Sequence, residues 1–314
     1  MPEYDRLVLS NQAAELGFVR DTFEKTLRLA VLLRFFEHDP ALSKYLALKG
    51  GTAINLAILT LPRLSVDVDL DFAENMPLKE MMETREIISK TIRQFMSANG
   101  YELSSKSKQY HTLDSFVYAY TNSGGVRDNI KVEINYSLRS HVLLLERRAI
   151  ETLGIFEPAT ILSLAPIEIF AGKIVALLSR TAARDLYDVN NMINFRLFDE
   201  TQEDMLRKCA VFYTAIGSDS IPETFDFDRI DSVTNHSIKT GLAPVIRKKE
   251  KFDLAAARNR VKEYLSALLV ITYDEKQFLS QFSRKEYRPE LLFEGDMLKR
   301  VRNHSMALWK MLQH

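Results

Sequence analysis

The stretch KGGTA at residues 49–53, followed by RLSVDVDLDF at residues 63–72, decides the fold of this chain. The first piece is a glycine turn that leads into a helical run, and the second alternates apolar with acidic residues as a strand does. Glycines let backbone amides approach a ligand closely, and the start of a helix favours anions. A glycine turn beside an acidic strand therefore predicts a site that holds phosphate and a cation.

The acidic strand is expected to carry three carboxylates on one face. Side chains at alternate positions of a strand point to the same side, so Asp67, Asp69 and Asp71 project together. Carboxylates this close repel each other unless a cation lies between them. Mg²⁺ is the expected ion, because it takes oxygen ligands and keeps substrate phosphates in its shell. Taken alone, the pattern is also compatible with a solvated strand face.

The glycine turn supplies the second part of the pattern. Gly50 and Gly51 are predicted to bring amide groups to the phosphates of a nucleoside triphosphate, and Thr52 to add a hydroxyl donor. A glycine pair alone is equally compatible with an ordinary turn between strand and helix. Ser65 precedes Asp67 on the same predicted face, so a phosphate on its hydroxyl would repel the triphosphate and regulate the site.

A second alternating stretch, KVEIN at residues 131–135, contains another acid. Strand geometry puts Glu133 on one face together with Lys131 and Asn135. If this strand neighbours the acidic strand, Glu133 supplies a third carboxylate for a two-metal site. Without the upstream motif, the stretch is an ordinary strand.

Charged residues of the second half form a fourth candidate element. Lys173, Arg180, Arg184 and Asp188 would share one stripe in a continuous helix, and the basic members could grip a triphosphate. A solvated face with ion pairs, Arg184 with Asp188 among them, is the alternative. Asp185 and Asp188 could instead reach an acceptor hydroxyl as a base or a positioning group.

The composition is that of a folded protein without a global affinity for polyanions. The chain has 314 residues, of which 46% are hydrophobic and 27% charged, enough for one large or two medium domains. Its 42 basic and 42 acidic residues cancel, so any nucleic-acid surface has to be a local patch. The single cysteine, Cys209, excludes a disulfide framework and a Cys/His zinc site, and a buried apolar role is expected for it.

No part of the sequence predicts a targeting or membrane segment. The N-terminus lacks a basic region followed by an apolar run, and no stretch reaches the roughly 18 uninterrupted apolar residues that a membrane span requires. The expected location is the cytoplasm.

The pattern of elements changes after residue 162. Residues 1–162 mix helical runs with short strands, which predicts an α+β domain. Residues 163–314 have helical periodicity almost throughout, which predicts an all-helical domain. Within it, residues 241–251 are predicted to be an exposed basic connector, and residues 291–312 a single helix.

Together these elements resemble the AbiEii/AbiGii toxin family of nucleotidyltransferase-like proteins, a branch of the DNA polymerase β superfamily. The resemblance covers most of the first 195 residues and is carried by KGGTA, the RxSxDxDLxF pattern, KVEI, and Lys173 followed by RDLYD at residues 184–188. It implies a polymerase-β-like core, with a mixed sheet flanked by helices, and a helical C-terminal domain that completes the active site. It also implies a cognate antitoxin with a winged-helix region, in a type IV toxin–antitoxin system.

The resemblance and the residue patterns together assign a role to each matching residue. Asp67, Asp69 and Glu133 are the expected metal ligands, although many relatives have Asp at the last position, and the superfamily pattern does not require Asp71. The expected nucleotide-binding residues are Gly50, Gly51, Thr52, Ser65, Lys173, Arg180 and Arg184. The expected catalytic residues are Asp67, Asp69, Glu133, Lys173, Asp185 and Asp188.

The predicted function is that of a toxin with Mg²⁺-dependent nucleotidyltransferase activity. Such an enzyme would add nucleotides from an NTP to an RNA end, with the transfer-RNA acceptor as the expected substrate, and would block translation and growth as in abortive infection. One alternative is an NTP-binding toxin, GTP being the nucleotide some relatives bind, that sequesters a cellular partner without chemistry. Another is nucleotidyl transfer to a protein or a small molecule.

The last third of the chain offers weaker signs of an RNA surface. Basic residues concentrate there, and they could dock a phosphate backbone, although surface helices are commonly charged. The lone tryptophan, Trp309, is predicted to lie in the core rather than to stack on a base.

Overall fold

The computed structural model describes residues 5–151, 154, 158–218, 221–222 and 224–313. The chain forms two units, and the first comprises the residues up to Arg139 with Leu145–Leu164 and Val245–Lys249. The second comprises Ser140–Leu144, Ala165–Pro244 and the residues from Glu250 onward. The boundary predicted after residue 162 falls close to the division between Leu164 and Ala165.

The eight strands found among the described residues form one mixed sheet in the first unit. The strands are β1 Leu46–Lys49, β2 Asp67–Phe72, β3 Glu102–Leu103, β4 Lys108–Gln109, β5 Leu113–Thr121, β6 Arg127–Asn135, β7 Glu146–Ile150 and β8 Ala159–Ser163. Their order is β3-β5-β6-β2-β1-β8-β7, and β4 also pairs with β5. The acidic strand β2 is antiparallel to β1 and parallel to β6, which confirms that the strand of Glu133 neighbours it.

Capping residues divide the N-terminal helical region of the first unit. The helical N-terminal region divides into three helices, because Gly17 adopts a φ of +80° and Asp39 caps a new helix that begins with Pro40. A short helix over Gly50–Ala53, within KGGTA itself, continues as a π-helical turn over Ile54–Ile58. The helices are α1 Arg6–Leu16, α2 Arg20–His38, α3 Pro40–Tyr45, α4 Gly50–Ala53 and α5 Leu78–Ala98.

The two faces of the sheet differ in polarity, as the alternation of β2 and β6 predicts. Val68, Leu70, Val132 and Ile134 lie on one face and are fully buried. Helix α5 lies on this face, because its Arg85 forms an ion pair of 2.5 Å with Asp114, the residue paired with Ile134. The opposite face carries the half-buried carboxylates of the acidic strand.

Helices and no strands are found among the described residues of the second unit. The α-helices are α6 Pro166–Arg180, α7 Ala183–Asn194, α8 Glu200–Gly217, α9 Asn235–Ser237, α10 Leu254–Leu268, α11 Tyr273–Ser283, α12 Gly295–Val301 and α13 Ser305–Leu312. The prediction of a single helix over residues 291–312 is wrong: Gly295 begins α12 with a φ of +56°, and the His304 side chain caps a separate helix, α13.

Two further sequence-based expectations are wrong. Trp309 is 50% exposed on α13 and does not belong to the core. The predicted connector at 241–251 is only partly exposed, because Val245 and Ile246 are buried and the Val245 carbonyl accepts a 2.8 Å hydrogen bond from Leu64 N–H. Residues Val245–Lys249 of this basic stretch belong to the first unit, because Val245 and Ile246 are apolar and buried.

The expectation for Cys209 is confirmed, since it is fully buried and burial raises the pKa of its thiol. None of the helices in the described part of the chain is long and apolar enough to cross a membrane.

Candidate active site

The glycine turn after β1 lies directly against the acidic strand. Lys49, the last residue of β1, pairs with Asp69 in the antiparallel register, and Gly50 follows with a φ of +66°. A Cβ on Gly50 would lie 2.5 Å from Asp69 Oδ2, and a Cβ on Gly51 would lie 2.8 Å from Arg63 Nη2. A side chain at position 50 would therefore displace Asp69 and strain the backbone, and one at position 51 would displace the Arg63 guanidinium. The arrangement keeps the backbone of the turn uncovered by its own side chains.

Three predicted acids share one face of neighbouring strands. In the parallel register of β2 and β6, Asp67 pairs with Lys131 and Asp69 pairs with Glu133. Lys131 Nζ lies 2.9 Å from Glu133 Oε2, and both side chains are partly exposed. The fold thus brings Asp67, Asp69 and Glu133 into one half-buried polar row beside the glycine turn.

Asp71 lies on the same strand but in a different environment. Its side chain is buried, and its Oδ1 lies 2.5 Å from Lys49 Nζ. Burial raises the pKa of the Asp71 carboxyl, and the charge of Lys49 opposes that rise. Asp71 therefore links β2 to β1 through an ion pair in which the carboxylate is buried and the lysine is partly exposed.

Thr52 and Ser65 meet beneath the turn. Their hydroxyl oxygens lie 2.6 Å apart, and the Thr52 hydroxyl also donates to the Asp67 carbonyl. Thr52 is fully buried and Ser65 is 4% exposed. In this conformation both hydroxyls hold the start of β2 against α4.

The donor set of the polar row suits Mg²⁺. Asp67 and Asp69 offer carboxylate oxygens, and proteins commonly bind Mg²⁺ through one or two carboxylates plus substrate phosphates and water. In the portion of the chain that the structure describes, no three His, Cys, Asp or Glu side chains are grouped as a ready-made metal centre. The two aspartates therefore offer carboxylate oxygens for an ion that takes its remaining ligands from outside the protein.

The late candidates form a separate cluster within the second unit. Helix α6 ends at Arg180 and α7 begins at Ala183, because Thr181 adopts a left-handed φ of +51°. The continuous helix on which the predicted basic stripe depends is therefore absent here.

The break between these helices gathers their charges around one lysine. Lys173 Nζ lies 2.8 Å from Asp185 Oδ1 and 3.2 Å from Asp188 Oδ2, and all three side chains are buried. Exposed Arg180 donates from Nε to Asp185 Oδ2 at 2.7 Å, whereas Arg184 is half-buried. Although burial raises it, the pKa of Asp185 lies below its ordinary value, because Lys173 and Arg180 stabilise the carboxylate.

Sequence reasoning missed the supporting roles of two cations. Lys49 binds Asp71, and Arg63 is 2% exposed with its Nη1 donating to the Leu64 carbonyl at 2.9 Å behind the glycine turn. Both residues belong to the quoted motifs, but their partners depend on how β1 pairs with β2 and how the loop before β2 folds back.

A glycine turn packed against an acidic strand of a mixed sheet, with a third acid on the adjoining strand, defines the nucleotidyltransferase class. The model of the nucleotidyl transferase AbiEii toxin family, of type IV toxin–antitoxin systems, matches residues 34–269, and the chain belongs to this family.

Comparison with solved structures supports the same fold. The chain is similar to MenT4, a nucleotidyltransferase toxin from Mycobacterium tuberculosis H37Rv, with a TM-score of 0.66 and 18% sequence identity. The similarity covers 98% of this chain and 99% of that chain. No curated protein sequence matches the chain.

Proposed function

We propose that this protein is a Mg²⁺-dependent nucleotidyltransferase toxin that adds nucleotides from an NTP to the 3′ end of an RNA, the acceptor end of transfer RNA being the expected substrate. The observation that carries the proposal is the packing of Gly50 against Asp69, with Glu133 paired to Asp69 on the next strand. Loss of usable acceptor ends would stop translation and growth, which agrees with a toxin family. A role in abortive infection is part of the proposal.

We assign the β and γ phosphates to the backbone of the glycine turn, with Arg63 adding positive charge behind Gly51. Asp67 and Asp69 hold the metal, with Glu133 as the third acid of a two-metal site. When bound, Mg²⁺ supplies charge that polarises the phosphates.

The proposed chemistry is an in-line displacement. The RNA 3′ oxygen bonds to the α-phosphorus while the bond from that phosphorus to the bridging oxygen breaks, and pyrophosphate leaves. Glu133 accepts the proton of the attacking hydroxyl.

For the second unit, the family resemblance assigns nucleotide binding to Lys173 and an essential acid to Asp185 or Asp188. The charges of Arg180 and Arg184 are proposed to serve the triphosphate as well. The contacts of Lys173 with both carboxylates support a fixed, charged lysine. Lys173→Ala should abolish transfer, and Lys173→Arg tests whether charge alone suffices, because Arg is longer and planar.

A toxin of this family has an antitoxin partner. We propose that the partner contains a winged-helix region and that both act in the cytoplasm, where NTPs and transfer RNA are found. Growth arrest on expression of the toxin, relieved by co-expression of a neighbouring gene, tests this pairing.

The activity is tested by incubating the protein with Mg²⁺, total RNA and each α-phosphate-labelled NTP in turn. We expect label on RNA, lost at least about a hundredfold in Asp67→Asn and Asp69→Asn. Asp21→Asn is the matched control, because Asp21 lies on α2, its side chain is 46% exposed and its partner is the neighbouring Arg20. Label on protein or on a small molecule would instead support transfer to those acceptors, and binding of NTP without any transferred label would support sequestration.

The third acid has its own test in the same assay. Glu133→Gln removes the proposed proton acceptor and metal ligand while keeping the shape of the side chain, so we expect a large loss in kcat. Glu86→Gln on the exposed side of α5 is the control. Wild-type kcat in Glu133→Gln would remove Glu133 from the site.

A further inference from the structure

An open groove lies at the edge of the sheet on the same face as the candidate carboxylates. It has a volume of about 510 Å³ and is lined by Val117 and Ala119 of β5, Asn129 of β6 and the turn Ser104–Lys106. Val117 pairs with Lys131, and Lys131 pairs with Asp67. Because directly paired residues point to the same face of a sheet, the floor of the groove continues the row of the candidate site.

The groove is close enough to serve that site. Asp67 and Val117 are separated by two strand spacings of about 4.8 Å each, so the groove begins about 10 Å from the metal-binding aspartate. One nucleotide bound there can extend its terminal hydroxyl to the acidic row.

The strand order places the groove and the glycine turn on opposite sides of the acidic row. The glycine turn follows β1, so the triphosphate end of the site lies on the β1 side of β2, while the groove lies beyond β6 on the β5 side. In-line transfer requires the attacking oxygen to enter opposite the leaving pyrophosphate. Resting on the proposed function, we propose that this groove binds the 3′-terminal nucleotide of a single-stranded RNA acceptor and presents its hydroxyl to the acidic row.

The rim of the groove is held in place before any ligand binds. Ser104 N–H donates to the Val117 carbonyl at 2.8 Å, and Ser107 Oγ accepts from Val117 N–H at 2.9 Å. These bonds fix the turn that carries Lys106 to the edge of β5. A preformed groove reduces the ordering cost of binding.

The chemistry of the lining fits a single nucleotide rather than a duplex. The volume is in the range of sites for one small ligand, and Ser105 and Asn129 offer hydrogen-bonding groups for ribose and base edges. Lys106 is exposed, and no described residue forms an ion pair with it, so its ammonium is available to a phosphate. An ion pair between Arg127 and Glu102 neutralises the far end of the groove.

The test separates RNA binding from catalysis. A short single-stranded oligoribonucleotide with a photoreactive 3′-terminal base is crosslinked to the wild-type protein and to Asp67→Asn. We expect crosslinks in residues 102–106, 117–119 and 127–131 of both proteins. Crosslinks confined to other parts of the chain, or none at all, would overturn the inference.

Two variants then probe the groove by steady-state kinetics. Lys106→Glu reverses the free charge, and Ala119→Trp fills the floor; each should raise KM for RNA about tenfold and leave KM for NTP within about twofold. Lys90→Glu is the matched charge reversal on α5, outside the groove lining, and should change neither value. Asn129→Ala, a milder truncation at the surface, replaces Ala119→Trp if the larger residue lowers the Tm.

Different results would contradict the groove assignment and the proposed function. If the wild-type protein labels RNA while the groove variants keep the wild-type KM for RNA, only the groove assignment is wrong. If the wild-type protein labels no RNA and the oligonucleotide does not crosslink, both the acceptor groove and the proposed function are wrong.

Discussion

Gly50 and Asp69 form a single structural element, since a Cβ on Gly50 would lie 2.5 Å from Asp69 Oδ2. The φ of +66° at Gly50 adds a second restriction, because residues with a side chain rarely adopt this conformation. The proposed phosphate-binding turn and the proposed metal-binding strand therefore depend on each other, and a change in one is expected to displace the other.

Gly50→Ala is expected to abolish nucleotidyl transfer. The new methyl group has to push the Asp69 carboxylate or the turn away, in addition to the strain of about 1–2 kcal/mol for a left-handed alanine. Gly100→Ala is a matched control, because Gly100 has a φ of +78° and open space around it. Comparing label transfer and Tm of both variants separates clash from strain, and an active Gly50→Ala would show that the close approach is not needed.

Asp71→Asn is expected to keep Mg²⁺-dependent transfer within about threefold, in contrast to Asp69→Asn. Asp71 Oδ1 lies 2.5 Å from Lys49 Nζ, and the residue is only 2% exposed. Its carboxylate is therefore not expected to bind a metal ion on the exposed side of the strand. Mg²⁺ titration of label transfer gives the comparison. A raised Mg²⁺ requirement in Asp71→Asn would instead make it part of the metal site.

Ser65→Asp is expected to destabilise the protein by about 3 kcal/mol or more, because it buries a carboxylate next to Thr52. Ser65→Ala should cost only about 1 kcal/mol, the value of a typical hydrogen bond. Urea unfolding of both variants measures the difference. A stable Ser65→Asp protein would show that position 65 can reach solvent. It would support Ser65 as a site of regulation by phosphorylation.

The same pair can be examined by a double-mutant cycle. Thr52→Val removes the hydroxyl that contacts both Ser65 and the Asp67 carbonyl, so its effect should be less than additive with Ser65→Ala. Strict additivity would mean that the two hydroxyls do not stabilise each other.

Asp185→Asn is expected to lower the free energy of unfolding by about 3 kcal/mol at neutral pH, because it leaves buried Lys173 with one carboxylate partner fewer. The pKa of Asp185 is lowered in the folded protein, so its contribution is present above the unfolded value of about 3.9 and is lost as the pH falls through the lower folded value.

The stability difference between wild type and Asp185→Asn should therefore be constant from neutral pH down to about pH 5 and shrink in more acidic solution. Urea unfolding across this range tests the sign. Asp296→Asn, at an exposed ion pair on α12, is the control and should leave stability unchanged. A difference that grows on acidification would contradict the assignment.

The glycine turn and the acidic strands could be predicted because they depend on residues close together in the sequence. Alternation of apolar and acidic residues in β2 and β6 fixes which side chains share a face, whatever else the chain does. The positions of Gly50 and Gly51 follow in the same way from a strand end and a helix start. The same local rules missed β7 and β8, whose charged and mixed residues give no clear alternation.

In the helical second half, the local pattern of residues did not predict where helices break. Helical periodicity located α6 and α7, but the break at Thr181 turned a predicted stripe into a buried cluster around Lys173. The prediction that Trp309 lies in the core is wrong for a related reason: α13 has only eight residues, too few for periodicity to define its buried face. Hydrophobic character alone does not state which face of a short helix finds a partner.

The sequence by itself determined the glycine turn, the face of the acidic strand and the family, because these depend on residue types at fixed short spacings. Only the tertiary structure decided that Glu133 pairs with Asp69, that Lys49 binds Asp71, and that Thr52 binds Ser65 beneath the turn. Those partners come from strands and loops distant along the chain, and their pairing is set by the summed packing of the whole sheet rather than by any one segment.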